Sequence, residues 1–418
     1  MELRDYQQSL AKEGAKILRD LGIIYLCMQV RTGKTLTSLE IAKLFGAKSV
    51  LFLTKKKAVN DIKKDYDNFG YSFQIEITNN ESVHRCDGKY DLVISDEHHR
   101  NGAFPKPNKT TKIIKQKYGN LPMIFLSGTP TPESYSQIFH QFWISKRTPF
   151  YEYVNFYQWA KDFVKVTQRN MGYGLINDYS NADKKRIDIF IDKYLLKFTQ
   201  EEAGFETKIV EQVAFVEMKP ITYSLIDRIR KDKVIKGNEE IILADTGAKL
   251  MSKVHQLCSG TVLFESGNSI CIDDSKAVFI KDNFHGMKIA IFYKFKAERE
   301  MILKTFEGNI TEDLEEFNST DKNIALQIVS GREGISLAKA KHIVYLNIDF
   351  SAVSYWQSRD RLTTIDRKEN EVYWIFATNG IESKIYKAVQ KKKNFTVKMF
   401  EKYERTIHSK ENPELLGG

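Results

Sequence analysis

The sequence predicts an α/β protein with two halves built on parallel sheets, joined by a helical connection and a helical insert. Three observations carry this expectation. Short apolar runs rich in β-branched residues recur at 23–30, 49–53, 91–95 and 123–126. Amphipathic stretches such as 36–45 and 59–66 separate them. The same rhythm returns at 288–293, 325–329, 342–347 and 372–377. Buried runs alternating with helical periods imply parallel strands with crossover helices. At 418 residues the chain is also too long for one ordinary core, so two or more domains are expected.

Taken in order, residues 1–150 form the first sheet domain. Residues 151–210 open with "YEYVNFYQWAKDFVKV", aromatic and polar without the strand rhythm, and read as a helical connection. Residues 211–275 read as a mostly helical insert of the second half. Residues 276–395 carry the second set of apolar runs, and 396–418 form a basic tail within "QKKKNFTVKMFEKYERTIHSK". No wedge hairpin and no appended nucleic-acid-binding domain are recognisable, although the insert has room to hide one.

A hydrophobic fraction of 42% with 12% aromatic residues fits a globular chain. The formal net charge is +10 and the isoelectric point about 9.1. Such a balance serves solubility or an anionic partner, nucleic acid first. No apolar run reaches membrane-spanning length, and "MELRDYQQ" lacks a signal-peptide core. Cys27, Cys86, Cys258 and Cys271 are scattered without a C-x-x-C pair. That argues for a reducing compartment and against zinc or a disulfide framework. The expected setting is the cytoplasm of a bacterial or phage-infected cell.

The most informative stretch is "LCMQVRTGKTLTSLEIAKLFG". A buried run ends, Arg31-Thr32-Gly33 turns, Lys34 opens a helix and Thr35 follows on its first turn. A strand, a tight turn and a helix N-terminus are what converging backbone N–H groups need to hold phosphate oxygens. Lys34 supplies charge for the β- and γ-phosphates, Thr35 a hydroxyl for Mg2+, and Gly33 close backbone approach. The usual G-x-x-x-x-G-K-[ST] pattern has glycine where this chain has Met28. Met28 falls where the strand should end, so the cradle does not depend on it.

A real site needs a second acidic signal, and "YDLVISDEHHR" provides it. Its apolar run ends in Asp96-Glu97-His98-His99. A carboxylate at a strand's C-terminal end holds Mg2+ through water, and its neighbour orients and deprotonates the attacking water. Cys86, His98 and His99 have no zinc-ligand spacing. Polar coupling of His98 to the next strand is preferred. That strand, "MIFLSGTPTP", ends in Ser127-Gly128-Thr129-Pro130, small hydroxylated residues placed to sense the acidic turn.

The ordered series LRDYQ, RTGKT, DEHH, SGTP, GREGISL and QSRDR resembles superfamily-two helicases, most closely their Swi/Snf-type branch of double-stranded-DNA translocases. The resemblance covers about residues 1–150 and 275–390 and implies two RecA-like domains. It implies that Gln7, with Arg4 beside it in "LRDYQ", reads adenine. Thr32, Gly33, Lys34 and Thr35 then bind ATP and Mg2+. Asp96 is the metal-holding acid and Glu97 the base, while Thr129 couples hydrolysis to movement. Gly331, Glu333 and Gly334 resemble a loop touching nucleotide and DNA. Gln357, Asp360 and Arg361 resemble the last motif, whose arginines reach the γ-phosphate across a cleft between the halves. The family's second arginine is replaced by Thr364, with Arg367 and Arg359 as the nearest substitutes. A milder departure from the family's glycine lies at Arg31.

The expected partner is nucleic acid backbone. Lys55, Lys56 and Lys57 follow a strand where such enzymes place a backbone-binding loop, and such contacts are sequence-independent and salt-sensitive. The sequence therefore predicts a monomeric, nucleic-acid-dependent ATPase moving on duplex or branched DNA, in company with replication or recombination proteins. A strand-separating or branch-migrating helicase remains open, as does the motor subunit of a restriction or nuclease complex. A non-hydrolysing binding module is disfavoured by the intact Lys34, Asp96 and Glu97.

Overall fold

The computed structural model describes residues 2–170, 175–204, 208–237, 239–328, 337, 339–359, 369–391 and 395–411. The chain forms two compact units, residues 1–205 and 206–418. Each is built on a six-stranded parallel sheet, so the α/β expectation holds.

In the first unit the strands are β1 (Ile23–Met28), β2 (Ser49–Thr54), β3 (Gln74–Asn79), β4 (Leu92–Ser95) and β5 (Met123–Leu126). An antiparallel hairpin follows, β6 (Thr167–Asn170) with β7 (Leu175–Asp178), and then β8 (Leu195–Phe198). The sheet order is β3-β2-β4-β5-β1-β8. Side chains alternate between two cores. Ile23, Tyr25, Leu51, Val93 and Phe125 face one, packed by aromatic residues such as Phe139, Phe142 and Trp159. Ile24, Leu26, Met28, Phe52, Ile94 and Leu126 face the other. Burial on both faces is why these strands read as unbroken apolar runs. Helix α1 (Asp5–Leu21) lies on that second face beside α2 (Lys34–Phe45). Gly14 permits this close approach, because a Cβ there would stand 2.6 Å from Ile41 Cδ1.

The stretch expected to be a helical connection is more than that. It contains helices Phe156–Phe163 and Lys184–Ile191, the β6–β7 hairpin, and strand β8, which pairs with β1. Short strands with polar residues hid this from a reading tuned to long apolar runs. Ser134 Oγ donates to Ser180 O at 2.7 Å and Ser136 Oγ to Tyr179 O at 2.5 Å, which pins the hairpin's base to the segment after "SGTP".

The second unit begins its sheet with β9 (Lys208–Val216). The helical insert does hold helices Pro220–Asp232 and Gly247–Cys258. It also carries two small ribbons, β10 (Val234–Lys236) with β11 (Ile241–Leu243) and β12 (Thr261–Leu263) with β13 (Ser269–Cys271). The remaining strands are β14 (Ile289–Tyr293), β15 (Ile310–Thr311), β16 (Asn323–Gln327), β17 (His342–Tyr345) and β18 (Glu369–Ala377), ordered β15-β16-β14-β17-β18-β9. Glu211 on β9 accepts hydrogen bonds from Tyr355, Trp374 and Tyr386 at 2.7 to 2.9 Å.

At the C-terminal ends of β14, β17 and β18 sits a buried polar group. Lys276 Nζ pairs with Glu382 Oε1 at 2.6 Å, both fully buried, and Lys294 pairs with Asp349 at 2.8 Å. Asn347 donates to Glu298, whose other oxygen accepts from Lys294 N at 2.6 Å. Among the described residues no helix is long and apolar enough to cross a membrane. All four cysteines are free: Cys86 and Cys258 are buried, Cys27 is half-buried and Cys271 is exposed.

Candidate active site

The candidate phosphate loop runs from Gln29 to Gly33, between the last residue of β1 and the first turn of α2. Met28 is fully buried in the core. It belongs to the strand, which is why a glycine is not needed there. The turn is made instead by two left-handed residues, Arg31 at φ 64° and Gly33 at φ 80°. For arginine this region costs about 1 kcal/mol, so the loop is held from outside. At Gly33 a Cβ would meet Gln7 Nε2 at 2.1 Å. Thr32 is buried, and its hydroxyl donates to Gln29 O at 2.8 Å. Lys34 Nζ donates to the same carbonyl at 3.2 Å. Burial pulls the Lys34 ammonium below its usual range, and the nearby charges of Glu97 and Asp96 partly restore it. Thr35 stands half-exposed on the first turn.

Gln7 is buried, with both ends of its amide in use. Oε1 accepts from Arg4 N at 3.0 Å and Nε2 donates to Gly33 O at 3.4 Å. The residue expected to read adenine therefore rests on the phosphate loop. Arg4 is exposed and donates to Tyr6 Oη at 3.2 Å, the hydroxyl that itself donates to Thr32 O in that loop.

The acidic turn leaves the end of β4. Asp96 Oδ2 accepts from Thr54 Oγ1 at 2.8 Å and Oδ1 from Glu97 N at 2.9 Å. Burial, followed by the neighbouring Glu97, pushes the Asp96 carboxyl up to about 6. Glu97 adopts a left-handed backbone, φ 48° and ψ 43°. Such an outlier on a side chain with a Cβ is the kind of strain found at functional sites. Its carboxylate stands 3.7 Å from Lys55 Nζ and 3.3 Å from His99 Nδ1. Burial alone raises its pKa, but Lys55 foremost, then His99 and Lys34, hold it below the usual carboxylate range.

Lys55, expected on the nucleic acid, thus lies within the acidic turn's field. Lys56 follows it exposed, in a short helical turn that includes Lys57.

Coupling between strands is distributed differently from the expectation. His99, not His98, reaches the SGTP turn. His99 Nδ1 lies 3.0 Å from Ser127 Oγ, which accepts from Thr129 N at 3.1 Å. His98 is fully buried and stacks on Phe125 of β5 at 3.7 Å. It bonds Ser95 Oγ at 2.9 Å and Gln141 O at 3.0 Å. Burial pushes its pKa down to about 3, so it is neutral. Gln141, which no motif singles out, joins three elements. Its Oε1 accepts from Tyr25 Oη at 2.6 Å and its Nε2 donates to Pro130 O at 2.8 Å. Gly128 sits against the phosphate loop, where a Cβ would lie 3.4 Å from Met28 O and 3.8 Å from Lys34 Nζ.

Of the second-unit candidates, Gly331, Glu333, Gly334, Asp360, Arg361, Thr364 and Arg367 lie outside the described residues. Gln357 and Arg359 belong to helix Ala352–Arg359.

No family model matches the sequence, and no curated protein matches it. Among solved structures, the chain is similar to the Sulfolobus solfataricus SWI2/SNF2 ATPase core in complex with dsDNA. Identity is 15% and the TM-score 0.42, over 93% of this chain and 91% of that one. It is likewise similar to the Sulfolobus solfataricus SWI2/SNF2 ATPase core domain, at 14% identity and a TM-score of 0.42, over 93% and 88% of the two chains. Both bear the name of the family that the ordered motifs resemble.

Proposed function

We propose that this chain is a nucleic-acid-dependent ATPase that hydrolyses ATP with Mg2+ to move along duplex DNA. The observation that carries this reading is the meeting of Lys34, Asp96 and Glu97 beside a loop whose glycine opens a helix. Lys34 would hold the β- and γ-phosphates once its ammonium leaves the Gln29 carbonyl. The Thr35 hydroxyl and Asp96 carboxylate are hard oxygen donors of the kind Mg2+ takes, and a buried carboxyl raised to about 6 is one that a cation stabilises as its anion. Bound there, the metal would neutralise charge developing on the transferred phosphoryl group. Glu97, kept ionised by Lys55 and His99, would accept the proton of the attacking water. His99 and Ser127 would carry the state of that carboxylate to Thr129. Arg361 is proposed as the cationic residue of the second unit that acts on the γ-phosphate.

The net charge of +10 supports an anionic partner, and the proposed partner is DNA, duplex or branched, bound by a monomer. The test is ATP turnover with duplex, single-stranded and branched DNA and with RNA, paired with triplex displacement and fork unwinding. Duplex stimulation with triplex displacement supports the translocase. A rate that no nucleic acid raises sinks the motor reading.

One observation favours a second reading, the strand-separating helicase. The β6–β7 hairpin is a two-stranded ribbon whose base is tied by Ser134 and Ser136 to the segment after the SGTP turn. Fork unwinding without triplex displacement selects that alternative.

A further inference from the structure

The loop between β1 and α2 has one glycine, Gly33, and carries Met28 where the usual pattern has its first and Arg31 in a left-handed conformation. Side chains from two directions compensate. From α1, Tyr6 Oη donates to Thr32 O at 3.2 Å and Gln7 Nε2 to Gly33 O at 3.4 Å. From the segment that leaves β8, Gln200 Nε2 donates to Val30 O at 2.9 Å, and Gln200 N donates to Gln29 Oε1 at 2.7 Å. Gln29 N donates to Phe198 O at 2.9 Å, and the Phe198 ring stacks on Tyr6 at 4.8 Å. The two clamps are therefore joined to each other around the loop.

The consequence follows from peptide geometry. In a planar trans peptide the carbonyl of one residue and the N–H of the next point in opposite directions. A side chain that holds the Val30 carbonyl therefore directs the Arg31 N–H away from itself. Tyr6 does the same for the Gly33 N–H and Gln7 for the Lys34 N–H. Three amides are pre-aimed by three side chains, and an amide already aimed binds an anion without first losing its freedom.

We infer that Gln200 is a positioning residue for the phosphate loop, fixing the orientation of the Val30–Arg31 peptide on the side where a polyphosphate anion would bind. The inference rests on the nucleotide-site reading above and adds a residue outside every motif. Gln200 lies five residues before the end of the first unit at 205, and both its bonds fall on the Gln29–Val30 end of the loop. Gln29 O is also the carbonyl that holds Lys34 Nζ.

The experiment is equilibrium binding of MgATP, and of adenosine as a probe without phosphates, to the full chain and its variants, with turnover measured alongside. Gln200→Ala should raise the Kd for MgATP about five- to tenfold, the size of one lost hydrogen bond, and leave adenosine binding unchanged. Gln200→Glu keeps the length and the backbone bond to Gln29, but sets a carboxylate against the Val30 carbonyl. It should be worse than alanine, an order that packing alone does not produce. Gln29→Ala should match Gln200→Ala, and the double variant should cost little more than either. KM for ATP should rise more than kcat falls. Melting temperatures near the parent's establish that each variant is folded. If Lys34→Ala and the parent bind MgATP alike, the nucleotide site itself is refuted. If Lys34→Ala loses binding while both Gln200 variants bind as the parent does, the Gln200 inference alone is overturned.

Discussion

At the carboxyl ends of β1, β2 and β4, the first unit presents charges that face one another across short gaps and stay partly open to solvent. Glu97 is 24% exposed and Lys55 19%. At the carboxyl ends of β14, β17 and β18, the second unit holds an innermost pair that is closed: Lys276 and Glu382 have no exposure at all, while Lys294 and Asp349 beside it are 16% and 18% exposed. Both units place polar groups where parallel sheets place their sites. They differ in how closely the charges are paired and how far water reaches them. In the first unit Glu97 bends its backbone into a left-handed turn and stands 3.3 Å from the His99 ring and 3.7 Å from the Lys55 ammonium. In the second, Lys276 and Glu382 meet at 2.6 Å without such distortion. A loose, strained arrangement is suited to receive a ligand, whereas a tight buried pair is suited to fix a structure.

That contrast can be broken by removing one cation from each side. Lys34→Ala should lower ATP turnover by at least about 100-fold, the loss expected when one charge-stabilising donor disappears, and leave the melting temperature near the parent's. Near-normal turnover in that variant removes the first unit from the chemistry. Glu97→Gln should bind ATP and DNA but hydrolyse about 100-fold more slowly, because an amide cannot take up the water's proton. A variant that loses ATP affinity yet keeps its rate would exchange the roles of Asp96 and Glu97.

Lys276→Ala should do the reverse of Lys34→Ala. It strands Glu382 in the core and should destabilise the second unit by about 3–5 kcal/mol. Hydrogen exchange resolved by peptide should show faster opening in residues 206–418 with the first unit unchanged. Lys276→Met combined with Glu382→Leu should recover most of that loss. If the single variant opens no faster than the parent, the pair is not structural.

The smallest effect concerns pH. Burial lowers His98 to about 3 and His140 to about 4, while in the second unit it holds His255 well below its ordinary value. A histidine neutral in the native state contributes stability that is whole above about pH 6.5 and is lost as pH falls. Each contributes a slope of up to about 1.4 kcal/mol per pH unit between the unfolded and folded values. The Asp96 carboxyl, raised to about 6, works in the opposite sense over the same range and offsets one of the two histidines, so the two units should weaken with similar slopes between pH 6 and 4.5, as read by the same exchange experiment. His98→Asn should flatten the first unit's slope, and equal slopes in parent and variant count against a neutral His98.

Much of the fold was legible because parallel strands buried on both faces announce themselves as apolar runs. Residues 23–28, 92–95 and 342–345 needed no more than that. Strand β3, reading "QIEITN", is half-exposed at the sheet edge and carries no such run. Strands β8 and β9 were absorbed into a supposed connection, since the end of one sheet and the start of the next abut in sequence. At the candidate site, Lys34, Thr35, Asp96 and Glu97 could be nominated from local spacing alone. Gln141 and Gln200 were not. Gln141 meets Tyr25 across 116 residues and Gln200 meets Gln29 across 171, and a single sequence holds no trace of pairings that distant. The one-residue shift from His98 to His99 has a local cause. The left-handed turn at Glu97 breaks the alternation that a strand would have continued.

The cysteines lend themselves to labelling. Burial pushes Cys27 and Cys258 up to about 12 and Cys86 up to about 11, so at neutral pH their thiolates are scarce. The Cys271 thiol on β13 in the second unit is raised as well, by burial foremost, but of the four it is the one that stands exposed to a reagent. A maleimide dye should therefore mark that unit selectively in the unmodified chain. One cysteine added at Ile189, which is 78% exposed in the first unit, would accept a second dye. Energy transfer between the two would then follow the distance between the units as nucleotide is added, with no native thiol removed.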